Sequence, residues 1–304
     1  MSQTTSIIPV ILFAYARPAH LARALACLRE NGVPLIHAFA DGAKDATDAR
    51  AVAEVRALLR AVDWCEMRLV EREKNLGLGR NVLAGVSETA SRYDAFIVWE
   101  DDLICVPGTY AWMCAALRHF ANNPRVMSVT GWTHPRVAPT DVGDQPYFDG
   151  RAESWGWGSW PRAWQGMKEE TAWEKLRLAE RHGMPRATYG ADLPRMARTE
   201  QRKNLWAARW LYHHFQHGGL CLRPPWSMVE HSGFDAMATN APVSVGWENP
   251  PLRPVPPLPG KWPESREHSQ CRVMWQGAHP AWHVGLPRRI MCRLHGLCRW
   301  KHGS

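Results

Sequence analysis

The apolar positions of the first 130 residues alternate between two rhythms. Ile7–Tyr15 is a continuous apolar run, the pattern of a strand buried on both faces. Arg17-Pro18 ends it and opens a helix with Leu21, Leu25 and Leu28 on one side. Leu35–Ala40 reads as a second strand closed by Asp41-Gly42. Val52, Val55, Leu59 and Val62 mark a second helical stripe, and Met67–Glu71 a third strand. The loop Asn75-Leu-Gly-Leu-Gly-Arg80 leads into a helix through Val82, Val86 and Ala90. Ala95–Trp99 is a fourth buried strand. A helix through Tyr110, Met113, Leu117 and Phe120 and a strand at Val126–Thr130 complete the series. Strands alternating with helices of this length predict βαβ units and a mainly parallel sheet.

Beyond residue 130 the pattern changes. Residues 131–165 are rich in Trp, Gly and Pro with weak periodicity, and residues 200–217 read as helical. Asn249–Pro263 holds seven prolines, the composition of an extended linker or surface strap. The expected organisation is an α/β domain over residues 1–248, divided at 130 into two halves. The strap at 249–263 and a basic tail at 264–304 follow it.

At 304 residues, 45% hydrophobic and 22% charged, the chain has the make-up of a soluble globular protein. The 17 tryptophans are unusual: indole suits both core packing and the faces of sugar rings. The net charge of +8 is lopsided, because residues 261–304 carry eight Lys/Arg against two acids. The body is close to neutral and gives no sign of binding nucleic acid. In the tail, Arg288, Arg289, Arg293, Arg299 and Lys301 interleave with Ile290, Leu294 and Leu297. That is the composition of an interfacial helix on an anionic membrane, or of a helix folded back with its basic face in water. Eight cysteines without a C-x-x-C, no cleavable leader and no long apolar run lead us to expect free thiols and a cytoplasmic setting, with peripheral attachment to the inner membrane. Cys271, His279, His283, Cys292 and Cys298 match no standard zinc spacing.

In an open α/β sheet, ligands gather at the carboxyl ends of the strands. Four polar features fall there: Tyr15-Ala-Arg17, Asp41-Gly42, Asn75 to Arg80, and Glu100-Asp101-Asp102. Three adjacent carboxylates after a buried strand are either a solvated turn or a site compensated by a cation. A hard divalent ion takes one or two such carboxylates and completes its shell with phosphate oxygens and water.

Ala95-Phe-Ile-Val-Trp-Glu-Asp-Asp-Leu103 resembles the metal-binding segment of GT-A glycosyltransferases. It is most similar to N-acetylglucosaminyltransferase I and to bacterial enzymes of surface polysaccharide assembly. Tyr15-Ala-Arg17-Pro18, Asp41-Gly42, Asn75-Leu-Gly77, Trp155-Gly-Trp157-Gly-Ser-Trp160, Trp206-Ala-Ala-Arg209-Trp210 and Ser227 to Gly233 extend the resemblance, in order, over residues 7–240. It implies a Rossmann-like GT-A fold, with residues 1–130 as the nucleotide-sugar half and 131–248 as the acceptor half, and an inverting transfer of sugar from a nucleotide-sugar donor. The acceptor implied is a glycan, such as a lipid-linked oligosaccharide. It also implies Mn2+ or Mg2+ on Asp102, with Tyr15, Arg17, Asp41, Arg80, Glu100 and Asp101 contacting the donor or the ion's water shell.

An inverting transfer needs a carboxylate base. Relatives place an Asp just before the Trp-x-x-Arg-Trp helix, where this chain has Lys203-Asn204, so Glu153 and Glu200 are the candidates and Asp149 and Asp192 the weaker ones. Trp155, Trp157 and Trp160 are candidates to wall the acceptor site, with core packing as the competing role. His213 and His217, spaced i, i+4 without an intervening Glu, read as polar helix-face residues, and His231 as a loop residue within reach of a diphosphate. The alternatives are a sugar nucleotidyltransferase, disfavoured because no Gly-rich basic loop follows the first strand, and a non-catalytic glycan or membrane binder.

Overall fold

The computed structural model describes residues 6–203, 205–233 and 249–280. β1 (Val10–Ala14), α1 (Pro18–Glu30), β2 (Leu35–Ala40), α2 (Ala49–Arg60), β3 (Glu66–Glu71), α3 (Leu78–Ala90) and β4 (Phe96–Glu100) alternate as the apolar rhythm predicts. Their strands pair in parallel in the order β3-β2-β1-β4. Every residue of β1 and β2 is buried, as central parallel strands require. At the sheet edge β3 exposes Glu66 and Arg68, charges that discourage further strand pairing.

The remaining elements are β5 (Leu103–Cys105), α4 (Thr109–His119), β6 (Val126–Thr130), β7 (Tyr147–Asp149), β8 (Trp157–Ser159), α5 (Pro161–Trp164), α6 (Ala172–Arg181), α7 (Leu193–Lys203), α8 (Trp206–His217), β9 (Leu220–Arg223), β10 (Val229–His231) and α9 (Cys271–Ala278). They extend the sheet to eight strands in the order β3-β2-β1-β4-β8-β6-β9-β7. Here the sheet is mixed rather than parallel. β8 runs antiparallel to β4 and β6, β9 parallel to β6, and β7 antiparallel at the far edge. β5 and β10 form a separate antiparallel ribbon beside it. The helix expected over 200–217 is two helices, α7 and α8. A capping box of Thr171 and Glu174 starts α6, and Gly218 at φ 58° ends α8.

Tryptophan fills the space between the sheet and α8. The Trp157 ring lies 4.7 Å from Trp210, 5.7 Å from Trp206 and 5.9 Å from Trp164. The Pro-rich segment crosses the surface in extended form. Trp226 Nε1 donates to Pro254 O at 2.8 Å, Trp262 stacks on His119 at 5.5 Å, and His268 N donates to Phe148 O at 2.8 Å. It delivers α9, whose Trp275 Nε1 donates to Asp149 at 2.8 Å. The basic stretch from Arg288 to Lys301 lies outside the described residues.

Candidate functional site

The carboxyl ends of β1, β2 and β4 meet at one end of the parallel half. At the end of β1 the chain makes an unusual turn: Ala16 has φ 47°, a left-handed conformation that L-residues other than glycine avoid. The turn directs the Tyr15 backbone N–H onto Asp101 Oδ2 at 2.8 Å and the Arg17 guanidinium onto Asp102 Oδ2 at 2.7 Å. Arg17 occupies the N-cap position of α1, with Pro18 following. The Tyr15 hydroxyl donates to Asp48, and Lys44 Nζ lies 5.1 Å from the Tyr15 ring centre.

Asp101 and Asp102 are both buried. Burial first, then repulsion from Asp102, pushes the Asp101 carboxyl well above its ordinary range, with Arg17 pulling the other way. Glu100 is raised well above its range by burial and then by its two neighbours. Asp102 Oδ1 is buried without a hydrogen-bond partner. An acidic triplet this desolvated, with an unsatisfied carboxylate oxygen, has room for one more cation than Arg17 supplies.

The β5–β10 ribbon closes over the triplet. Ser232 N and Oγ both donate to Asp102 O at 2.8 Å, and His231 Nε2 stands 3.5 Å from Asp102 Oδ2. Burial holds the His231 imidazole below its ordinary pKa, against the opposing pull of Asp102. At Gly233 the backbone is so close that a Cβ would overlap Asp102 Oδ2. His231 therefore belongs to a strand at the acidic cluster, a placement its loop-like sequence context does not signal.

Asp41 is 3% exposed and serves the fold. Its Oδ1 accepts from Gly42 N at 2.9 Å and Leu76 N at 2.8 Å, and its Oδ2 from Gly77 N at 2.9 Å. The carboxylate thus fastens the Asn75–Gly77 turn to the end of β2. Asn75 Nδ2 adds a bond to Gly42 O at 2.8 Å. Gly42 is required here, since a Cβ would meet Lys74 C at 2.5 Å. Arg80 is exposed on the first turn of α3.

The candidates of the second half separate. Gly156, at φ 53°, turns its two neighbours apart. Trp155 is half-buried, its ring 4.7 Å from His231 and 5.2 Å from Trp132. Trp157 is 0% exposed and Trp160 3%, with Trp160 Nε1 donating to Leu117 O at 3.2 Å. Both are sealed in the core and cannot touch a sugar. Glu200 is buried in an ion pair with Arg209 at 2.5 Å and accepts from Ala172 N, so it braces α6 against α7 and α8. Glu153, two residues before Trp155, is half-buried, with Oε1 accepting from Ser154 N at 2.8 Å and Oε2 lying 3.5 Å from Arg223. Asp149 is fully buried against Arg223 at 2.9 Å, and Asp192 is tied to Arg151 at 2.9 Å. Arg223, a basic residue at the end of an otherwise apolar strand, organises this network without any motif to announce it. His213 and His214 are buried rather than exposed.

Among the described residues no group of three or more His, Cys, Asp and Glu side chains converges as a metal cage. The donor set present is smaller: the unsatisfied Asp102 Oδ1, with His231 beside it. That suits an ion that draws most of its shell from phosphate and water.

No protein-family model and no curated protein matches the chain. Solved structures to which it is similar include the mannosyltransferase PcManGT from Pyrobaculum calidifontis in complex with GDP-Man and Mn2+, at 14% identity over 76% of this chain and 58% of that one, TM-score 0.43. Two others are GalNAc-T7 with UDP, GalNAc and Mn2+, at 13% over 76% and 44%, TM-score 0.43, and S. aureus TarS 1-349, at 10% over 75% and 61%, TM-score 0.40. The chain spans between 44% and 61% of the length of these structures. Likeness at this level fixes no residue-by-residue correspondence.

Proposed function

We propose that the protein is a glycosyltransferase that transfers a sugar from a nucleoside diphosphate sugar to a glycan acceptor with the help of a divalent metal ion. The carrying observation is the triplet Glu100-Asp101-Asp102 at the end of β4, its two aspartates buried, with Arg17 on one Asp102 oxygen and the other oxygen unsatisfied. Asp102 and His231 would hold the ion. When bound, Mn2+ or Mg2+ supplies positive charge for the departing diphosphate. Arg17 adds a second fixed cation at the same place, preorganised by the turn at Ala16. Asp41 keeps the Asn75–Gly77 turn against the strand ends, and Tyr15 and Arg80 border the donor. Trp155 offers an aromatic face beside His231 for the acceptor sugar. Glu153, on the same loop, is the base that takes the proton of the acceptor hydroxyl in an inverting transfer. The acceptor in this reading is a lipid-linked glycan, and the basic tail rests on an anionic membrane surface.

Thermal shift against a panel of nucleoside diphosphates and nucleotide sugars, with and without Mn2+, tests the proposal. A matching ligand with metal, at about 100 times its Kd, should raise Tm by several degrees. Asp102→Ala should lose that rise and the transferase activity. Transfer that survives Asp102→Ala unchanged would sink the mechanism.

A further inference from the structure

The Sγ atoms of Cys27, on α1, and Cys105, at the end of β5, lie 3.7 Å apart across a seam joining residues 78 positions distant in sequence. Asn31, just past α1, has already fixed that seam. Its Nδ2 donates to Cys27 O at 2.8 Å, Val106 O at 3.2 Å and Cys105 Sγ at 3.3 Å, and its Oδ1 accepts from Tyr110 N at 3.1 Å. The two thiols are therefore held side by side by the fold and not by chance of rotamer. A disulfide bond is about 2.05 Å long, so closure must draw the two sulfurs together from the 3.7 Å at which they stand. A small cavity beside Cys105 is lined by Asn31, Trp99, Tyr110 and Met113. Both residues are buried, at 8% and 7% exposure, so a small-molecule disulfide reaches them when the seam opens locally.

We propose that Cys27 and Cys105 are a reversible modification site, forming a disulfide that staples α1 to β5 when the protein meets a small-molecule disulfide such as oxidised glutathione. The Cys27 thiolate attacks one sulfur of the glutathione disulfide and expels one glutathione thiolate. Cys105, giving up its proton, then attacks Cys27 Sγ and expels the second. Two electrons pass to the oxidant, and the two thiol protons end on two molecules of glutathione. The hydrogen bond from Cys105 holds the Cys27 thiol below its usual pKa against the effect of burial, which marks Cys27 as the attacking sulfur. The Cys105 thiol is pushed well up by that bond and by burial. The staple is independent of the transferase reading: it joins the carboxyl end of α1 to the end of β5, whereas Arg17 stands at the opposite end of α1.

The test treats the folded full-length protein with oxidised glutathione and maps its peptides without reduction. The expected result is a linked pair of peptides containing Cys27 and Cys105, a rise in Tm of roughly 5–10 °C, and reversal of both by dithiothreitol. Cys105→Ser should lose the link and the rise. If wild-type protein keeps both thiols free, carries separate glutathione adducts on them, or links them only in denaturant, the proposal is overturned. That peptide map needs no variant to fold.

Discussion

Ala16 pays for the geometry of the acidic site. A left-handed Ala costs about 1 kcal/mol, and it is the non-glycine residue with positive φ among those described. The turn sets Tyr15 N on Asp101 and Arg17 on Asp102. No residue pattern marked that turn; the aromatic-x-Arg-Pro sequence indicated only that a strand ends and a helix begins. Asp41 shows the same limit. Its place after β2 was legible, whereas the direction of its carboxylate, toward three backbone N–H groups, depends on a loop more than thirty residues away. Asp41→Asn keeps the shape but turns an amide toward one of those N–H donors. Chemical denaturation should show a loss of about 1–3 kcal/mol, and an unchanged midpoint would mean that the anchor is dispensable.

At the scale of elements, legibility followed length. Apart from β5, the strands and helices up to β6 carry enough apolar positions for their period to show, and each lies close to its expected place. β5, β7, β8 and β10 are three residues long, too short for any period to declare itself, and the antiparallel pairing of β7 and β8 makes the far half of the sheet mixed. α8 was visible as a helix, and of the residues read as polar helix-face histidines His217 is exposed, whereas His213 is buried together with its neighbour His214. Burial, aided by Lys175, holds His213 down at about 3, and burial followed by His213 does the same for His214. His214 packs between Ser128 Oγ at 2.9 Å and Trp210 O at 3.2 Å, a neutral ring's pattern of one donor and one acceptor. Both groups are depressed in the folded state, so their contribution is complete above the unfolded value near 6.5. It is lost as pH falls toward the folded value near 3. Within that window each costs about 1.4 kcal/mol per pH unit. Tm should therefore fall steeply between pH 6.5 and 4, and His214→Gln should flatten the slope. A slope unaltered in the variant would assign acid sensitivity elsewhere.

At the scale of the whole molecule, charge is distributed unequally, with six of the eight net positive charges contributed by residues 261–304. Among the described residues no helix is long and apolar enough to cross a membrane. The membrane contact proposed for the basic tail is electrostatic, worth about 1 kcal/mol per basic residue near an anionic surface. Deleting residues 287–304 should release the protein from anionic vesicles in a flotation assay, with release also produced by raised salt; equal flotation of the truncated chain would refute the contact.

The insertion of β8 between β4 and β6 has a consequence for how the chain is made. Synthesis runs from the amino end, so β1 to β4 leave the ribosome while residues 157–159 have yet to be joined. Until they arrive, the apolar outer edge of β4 stands open, with its backbone donors and acceptors available to any neighbouring strand. The nascent chain is most exposed to misassembly in that interval, and a chaperone that shields it need attend to one strand edge for the length of some sixty codons.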